Sequence, residues 1–227
     1  MAGIKDIAKR TGLSLATISR VFNNSPLVSD KTKRKVLEAA EALDYQPNLT
    51  AAALRSGKSK IIGVIVPEIN NPFFSSIING IEQHIGEKDY RIIIAQSHES
   101  EKKESHAIQS FIKLNVDGIL LSISKKTTDF GFMDKLAAKQ IPLVFFDRNP
   151  QLKANKEVLF DDYKGAFLAT KHLIGQGSTK VAHIAGDQNV AVFRERKKGF
   201  IAAMEAHQTP PSESQLLQLR KSLDLDT

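Results

Sequence analysis

Arg20 closes the stretch Ser14-Leu15-Ala16-Thr17-Ile18-Ser19-Arg20. Its guanidinium is a planar fork of donors that can pair with O6 and N7 of one guanine, chemistry that lysine or glutamine would not reproduce. Leu15 and Ala16 carry no hydrogen-bonding side-chain atoms, so they would contact thymine methyls or select by shape. Ile18, Val21 and Phe22 recur at helical spacing and face inward, leaving Leu15, Ala16, Ser19 and Arg20 outside. Catalytic chemistry has no comparable constellation. The six histidines (84, 98, 106, 172, 183, 207) are scattered, and no cysteine is present, which excludes disulfides, thiolate zinc sites and cysteine nucleophiles. No glycine-rich phosphate loop, nucleophile elbow or paired metal-ligand histidines occur, so neither an enzyme nor a cofactor or metal site is expected.

The elements that must position Arg20 are short helices. Ile4 to Arg10 reads as a first helix, broken by Thr11-Gly12. Ser14 suits the N-cap of a second helix, Leu15 to Asn23. After the turn Asn24-Ser25-Pro26, Ser29 caps a third helix, Asp30 to Leu43, with an apolar stripe of Val36, Leu37, Ala40 and Leu43. Two short helices joined by a tight glycine turn and followed by a third form the helix-turn-helix pattern.

Charge is distributed to match. The net charge is +7, and residues 1–60 hold eleven Lys and Arg against five acids. The other residues are nearly balanced. A phosphate-binding module attached to an ordinary globular domain has this signature. Met1 leads into a charged amphipathic start with no apolar leader, and runs such as Leu143-Val144-Phe145-Phe146 are too short to span a bilayer, so a soluble cytoplasmic protein is expected.

Pro47-Asn48 opens another short helical stretch, Leu49 to Arg55, and Gly57-Lys58-Ser59-Lys60 is a polar linker. From residue 61 the pattern changes. Apolar strands at 61–66, 91–96, 118–123, 142–146, 158–160 and 181–185 alternate with helices at 73–88, 99–114, 129–139, 163–175 and 193–206. Apolar strands alternating with helices indicate a parallel sheet covered on both faces. The domain reading is therefore a headpiece at 1–46, a hinge helix and linker at 47–60, a first α/β lobe at 61–161, and a partial second lobe with a divergent end at 162–227.

Three stretches together resemble the LacI/GalR family of bacterial repressors. They are Ile4-Lys5-Asp6-Ile7-Ala8 through Val21, Tyr45-Gln46-Pro47-Asn48 through Arg55, and Ile62-Gly63-Val64-Ile65-Val66-Pro67 through Asn71-Pro72-Phe73-Phe74. Phe145-Phe146-Asp147-Arg148, Gly165-Ala166, His172-Leu173-Ile174 and Arg196 with Gly199-Phe200 continue the pattern to about residue 207. The resemblance implies an all-α headpiece and hinge helix before a periplasmic-binding-protein-like α/β core with parallel sheets. It also implies a dimeric, sequence-specific transcription regulator, by family default a repressor, on a pseudo-palindromic operator.

The same resemblance assigns base reading to Leu15, Ala16 and Arg20. Ser14, Thr17, Ser19, Asn23, Ser25 and Arg55 are candidates for the DNA backbone. Leu54 is expected to wedge into the minor groove, with Asn48, Ala51 and Ala52 in the hinge, where small side chains let two helices pack closely. So short a helix is unstable alone and should order only in a dimer on DNA. For the core, the resemblance implies a cleft between lobes holding a sugar- or nucleobase-sized effector. Its candidate lining is Asn70, Asn71, Phe73, Phe74, Ser97, Ser122, Asp147 and Arg148 from the first lobe, with Asp162 and Arg196 from the second. Arg196 matches the family's ligand-gripping arginine.

Family size implies about a hundred further residues. The segment from Gln208 matches no family motif, so the second lobe is expected to be incomplete, with one strand and two helices. A frameshifted or shortened gene product, or an end set at an arbitrary boundary, are the two explanations. A non-functional remnant, or a small-molecule binding protein without regulatory activity, stand as alternatives to the regulator.

Overall fold

The computed structural model describes residues 3–22, 25–45, 57–152 and 156–218. The chain divides into two compact units, Met1–Ser59 and Lys60–Thr227.

The first unit holds α1 (Ile4–Thr11), α2 (Leu15–Phe22) and α3 (Asp30–Glu41). Gly12 ends α1 in the left-handed region at φ 70°, its amide donating to the Ala8 carbonyl at 2.9 Å. A glycine holds that conformation without Cβ strain, which allows the three-residue passage Gly12-Leu13-Ser14 into α2. The Ser29 side chain caps α3 by accepting from the Thr32 amide. Ile7, Ile18, Val21, Val28, Val36, Ala39 and Ala40 form the buried core. One stripe expectation is corrected: Leu37 is exposed and Ala39 takes its place. At about 100° per residue, 36, 39, 40 and 43 share one face, and 37 falls outside it.

The second unit begins with β1 (Ile61–Val66), α4 (Pro72–Gly86), β2 (Arg91–Gln96), α5 (Glu101–Lys113), β3 (Gly118–Leu121), α6 (Phe132–Ala138), β4 (Leu143–Phe146) and β5 (Glu157–Val158). The strands form one parallel sheet in the order β2-β1-β3-β4-β5. Its two faces are covered separately. Ile65, Ile108, Phe111, Ile119, Leu121, Leu136 and Phe145 pack on one, and Val64, Val66, Phe74, Ile78 and Phe146 on the other. Helix α6 starts later than expected because Asp129 accepts from the Gly131 amide at 2.8 Å, forming a turn first.

The chain then forms α7 (Asp162–Gly175), β6 (His183–Ala185), α8 (Ala191–Ala206), a 3₁₀ turn at Glu213–Gln215 and β7 (Leu216–Gln218). Val181, Phe200 and Met204 make a small core here. The expectation of one strand in this lobe is corrected. β7 pairs with β6 in parallel, His183 opposite Leu216 and Ile184 opposite Leu217. The segment after Gln208, expected to match no family motif, supplies a strand because Leu216 and Leu217 meet an open edge.

Among the described residues, no helix is long and apolar enough to cross a membrane.

Candidate nucleic-acid interface and effector cleft

In α2 the inner face is filled by Ile18 and Val21. Leu15 remains 45% exposed, and Ala16 and Arg20 are exposed beside it. At about 100° per residue, Leu15, Ser19, Ala16 and Arg20 fall within one outward sector. Ser14 caps the helix, its hydroxyl accepting from the Thr17 amide at 3.1 Å and pairing with the Thr17 hydroxyl at 2.9 Å. The Ser25 hydroxyl accepts from the Leu27 amide at 3.3 Å. Ser14, Thr17 and Ser25 therefore order the two ends of the helix and remain near its surface. Ser19 is half-buried. Asn23, Asn48, Ala51, Ala52, Leu54 and Arg55 lie outside the described residues.

In the second unit, the strand order reverses between β2-β1 and β3-β4. Crevices at such a switch point, beyond the carboxyl ends of the strands, are where open α/β sheets take ligands. A cleft of about 410 Å³ lies beyond the carboxyl ends of β4 and β5, walled by Asp147, Asn149, Gln151, Glu157, Phe160, Asp161, Asp162 and Tyr163, with Ala191, Val192 and Glu195 of α8. A smaller cavity of about 190 Å³ adjoins it across the 149–151 segment, with Lys125, Thr127 and Arg148 in its wall.

Asp147 follows β4 at φ 57°, a left-handed position for a non-glycine residue. Burial pushes its carboxyl up, against the pull of the neighbouring Arg148 guanidinium. Asp162 opens α7 and accepts from Arg196 Nε at 2.7 Å across to α8. This charge-assisted bond ties the two helices of the second lobe together beside the cleft. Ser122 is fully buried, with its hydroxyl 3.5 Å from Asp147 Oδ2, so it supports that carboxylate from below. Ser97 is also fully buried.

The aromatic expectation is half corrected. Phe74 is 2% exposed and packs on Phe146 in the sheet core, so it cannot line a cleft. Helical geometry turns consecutive residues about 100° apart and cannot present both rings to one space. Phe73 is the exposed one, 5.9 Å from the ring of Phe160. Asn70 is exposed, and the Asn71 side chain caps α4 by accepting from the Phe73 amide. Asp147 and Asp162 share the larger cleft, and Arg148 faces the smaller cavity.

Sequence reasoning missed Phe160, Asn149, Gln151, Asp161, Tyr163 and Glu195 in the larger wall. Phe160 at 64% exposure was grouped with a strand that in fact ends at Val158. The signal for it was the helix cap Asp161, which accepts from the Lys164 amide at 2.9 Å and marks 159–161 as a loop.

Residues 3–48 match the family model of bacterial regulatory proteins of the lacI family, and residues 62–217 match the periplasmic binding protein domain, a match that runs through the segment after Gln208 and corrects the expectation for it. The chain belongs to the LacI family. This LacI-family chain is 34% identical over 222 residues to the HTH-type transcriptional regulator DegA of Bacillus subtilis, covering 97% of this chain and 66% of that protein. It is 36% identical over 207 residues to the HTH-type transcriptional repressor PurR of Haemophilus influenzae, covering 90% of this chain and 60% of that one. It therefore spans somewhat under two thirds of the curated relatives' length. Among solved structures, the regulator CelR in complex with cellobiose is similar at TM-score 0.62 and 25% identity, over 96% of this chain and 65% of that one. The lac repressor dimer bound to operator and the anti-inducer ONPF shares the fold at TM-score 0.78 and 24% identity, over 96% and 64%.

Proposed function

We propose that the chain acts as a sequence-specific DNA-binding transcription regulator, a repressor that binds a pseudo-palindromic operator as a homodimer. Its role is regulatory rather than catalytic, its compartment is the cytoplasm, and its effector is a small polar molecule of sugar-like size. The observation that carries this is the outward row Leu15, Ala16 and Arg20 on α2, held over a fully packed three-helix core. In a helix-turn-helix, those are the positions that reach base edges in the major groove.

Arg20 supplies bidentate guanine recognition, and Leu15 and Ala16 supply apolar contact. Ser14, Thr17, Ser19, Asn23, Ser25 and Arg55 engage the DNA backbone, and Leu54 wedges the minor groove with Asn48, Ala51 and Ala52 beside it. These hinge assignments rest on the sequence motifs. In the core, Asn70, Phe73, Asp147, Asp162 and Arg196 contact the effector, a reading supported by the cleft that Asp147 and Asp162 help to wall and by the Arg196–Asp162 bond beside it. Titration of the full chain against DNA selected from a randomised palindromic library tests the reading. Gel-shift affinity should fall steeply as salt rises, since phosphate contacts release counterions. Affinity that ignores both salt and sequence would refute it.

A further inference from the structure

One carboxylate beyond the sheet holds two cations of the smaller cavity. His98 and Glu99 follow β2 at φ 49° and 53°, consecutive left-handed residues that are not glycine. Such backbone persists where surrounding contacts over-determine it. Those contacts converge on Glu99. Its Oε1 accepts from Arg148 Nη1 at 2.8 Å, and its Oε2 accepts from the Lys125 amide at 2.8 Å. Lys125 Nζ stands 3.5 Å from Oε1. The Glu99 carboxyl shows the result. Burial raises its pKa, but the Lys125 amide and the Arg148 guanidinium outweigh burial and hold it below the usual carboxylate range.

Lys125 and Arg148 both face the 190 Å³ cavity, alongside Thr127, Asn149, Gln151 and Asn189. An ammonium and a guanidinium beside amide and hydroxyl donors would form a receptor for phosphate or carboxylate. Glu99 removes that option, and Asp147 Oδ2, 3.7 Å from Arg148 Nε, brackets the guanidinium from its other side. The larger cleft adds Asp147, Glu157, Asp161, Asp162 and Glu195 to the wall. An anion entering either space would meet paired cations and facing carboxylates.

We propose that Glu99 is a specificity-determining residue of the smaller cavity adjoining the cleft, cancelling the charges of Lys125 and Arg148 so that uncharged effectors are admitted and anionic ones, phosphorylated ligands included, are excluded. The inference rests on the cleft being an effector site.

The test is an NMR titration of the full chain with inorganic phosphate at constant ionic strength, read at the amides of Lys125, Asn149 and Gln151. The unaltered chain should show no saturable shift. Glu99→Gln keeps an acceptor for the Lys125 amide but removes the charge, and should gain saturable binding, tightened on the order of tenfold. Adding Arg148→Ala should abolish the gain, and Glu99→Asp should restore exclusion. Saturable binding by the unaltered chain overturns the proposal, as does a folded Glu99→Gln chain with no gain. Should Glu99→Gln not fold, the unaltered chain decides alone: absence of a saturable shift supports the proposal. DNA binding by the unaltered chain is measured separately by gel shift. A failed charge rule therefore leaves the regulatory reading intact, and a failed gel shift does not alter the phosphate result.

Discussion

Gly199 of α8 lies so close to Tyr163 of α7 that a Cβ built on it would stand 2.1 Å from the Tyr163 carbonyl oxygen. The Phe167 amide nitrogen would be 3.0 Å away. The two helices meet backbone to backbone, with the Arg196–Asp162 bond nearby on the same pair. Gly199→Ala must separate them, since a carbonyl fixed in a helix cannot yield as a side chain can. The expected cost is about 1–3 kcal/mol, the usual range for overpacking. Urea denaturation measures it, and an unchanged midpoint would show that the helices slide freely.

Glu104 is 1% exposed and accepts from the Ser124 amide at 2.7 Å and the Thr127 hydroxyl at 2.8 Å. Glu104→Ala leaves a buried amide without its acceptor and should cost about 1–3 kcal/mol. Glu104→Gln offers an oxygen to Ser124 and an amide to Thr127, so it should fold normally. Burial raises the Glu104 pKa, despite the opposing bonds from Ser124 and Thr127. A carboxyl raised above its unfolded value contributes stability at low pH and loses it as pH rises through the folded value. The wild-type chain should therefore gain on Glu104→Gln as pH falls toward that of an ordinary carboxyl. Paired thermal melts across mildly acidic pH check the sign.

For DNA, Arg20→Lys should cost about 1–3 kcal/mol of discrimination at one guanine per half-site while leaving non-specific binding nearly intact. Lysine keeps the charge for phosphates but lacks the planar fork. Because Arg20 is exposed, the headpiece should melt unchanged. Competition gel shifts against a guanine-substituted site provide the measurement. Equal loss on all sequences would reassign Arg20 to the backbone.

Ile184 and Leu217 are direct cross-strand partners and are 63% and 49% exposed. Adjacent apolar side chains on a two-stranded sheet invite self-association. Replacing both with threonine should increase the monodisperse fraction on size exclusion and shift stability by no more than about 0.5 kcal/mol, as for ordinary surface changes. A large loss of stability would mean that the pair is covered in solution.

Much of the architecture was legible because it is periodic. Ile18 and Val21 declare the inner face of α2, and apolar runs such as 61–66 declare buried parallel strands. Local chemistry was legible too, in Ser14 and Ser29 as helix caps and Gly12 as a helix end. Leu37 misled because an apolar residue is not obliged to be buried. Phe74 misled because two consecutive aromatics cannot be assigned to core or cleft without knowing the helix's rotation.

The sequence by itself determined the helix-turn-helix with Leu15, Ala16 and Arg20 outward, the parallel α/β core, and Asp147 and Arg196 as charged groups to watch. The first two follow from spacing along one element, which sequence records directly, and the charged groups follow from the family resemblance. Only the tertiary structure decided how those charges are spent. Arg196 is bound to Asp162, and Arg148 is held by Glu99, a residue 49 positions earlier in the chain. Such partnerships join the ends of different strands and helices, and no local period encodes which ends the fold will bring together.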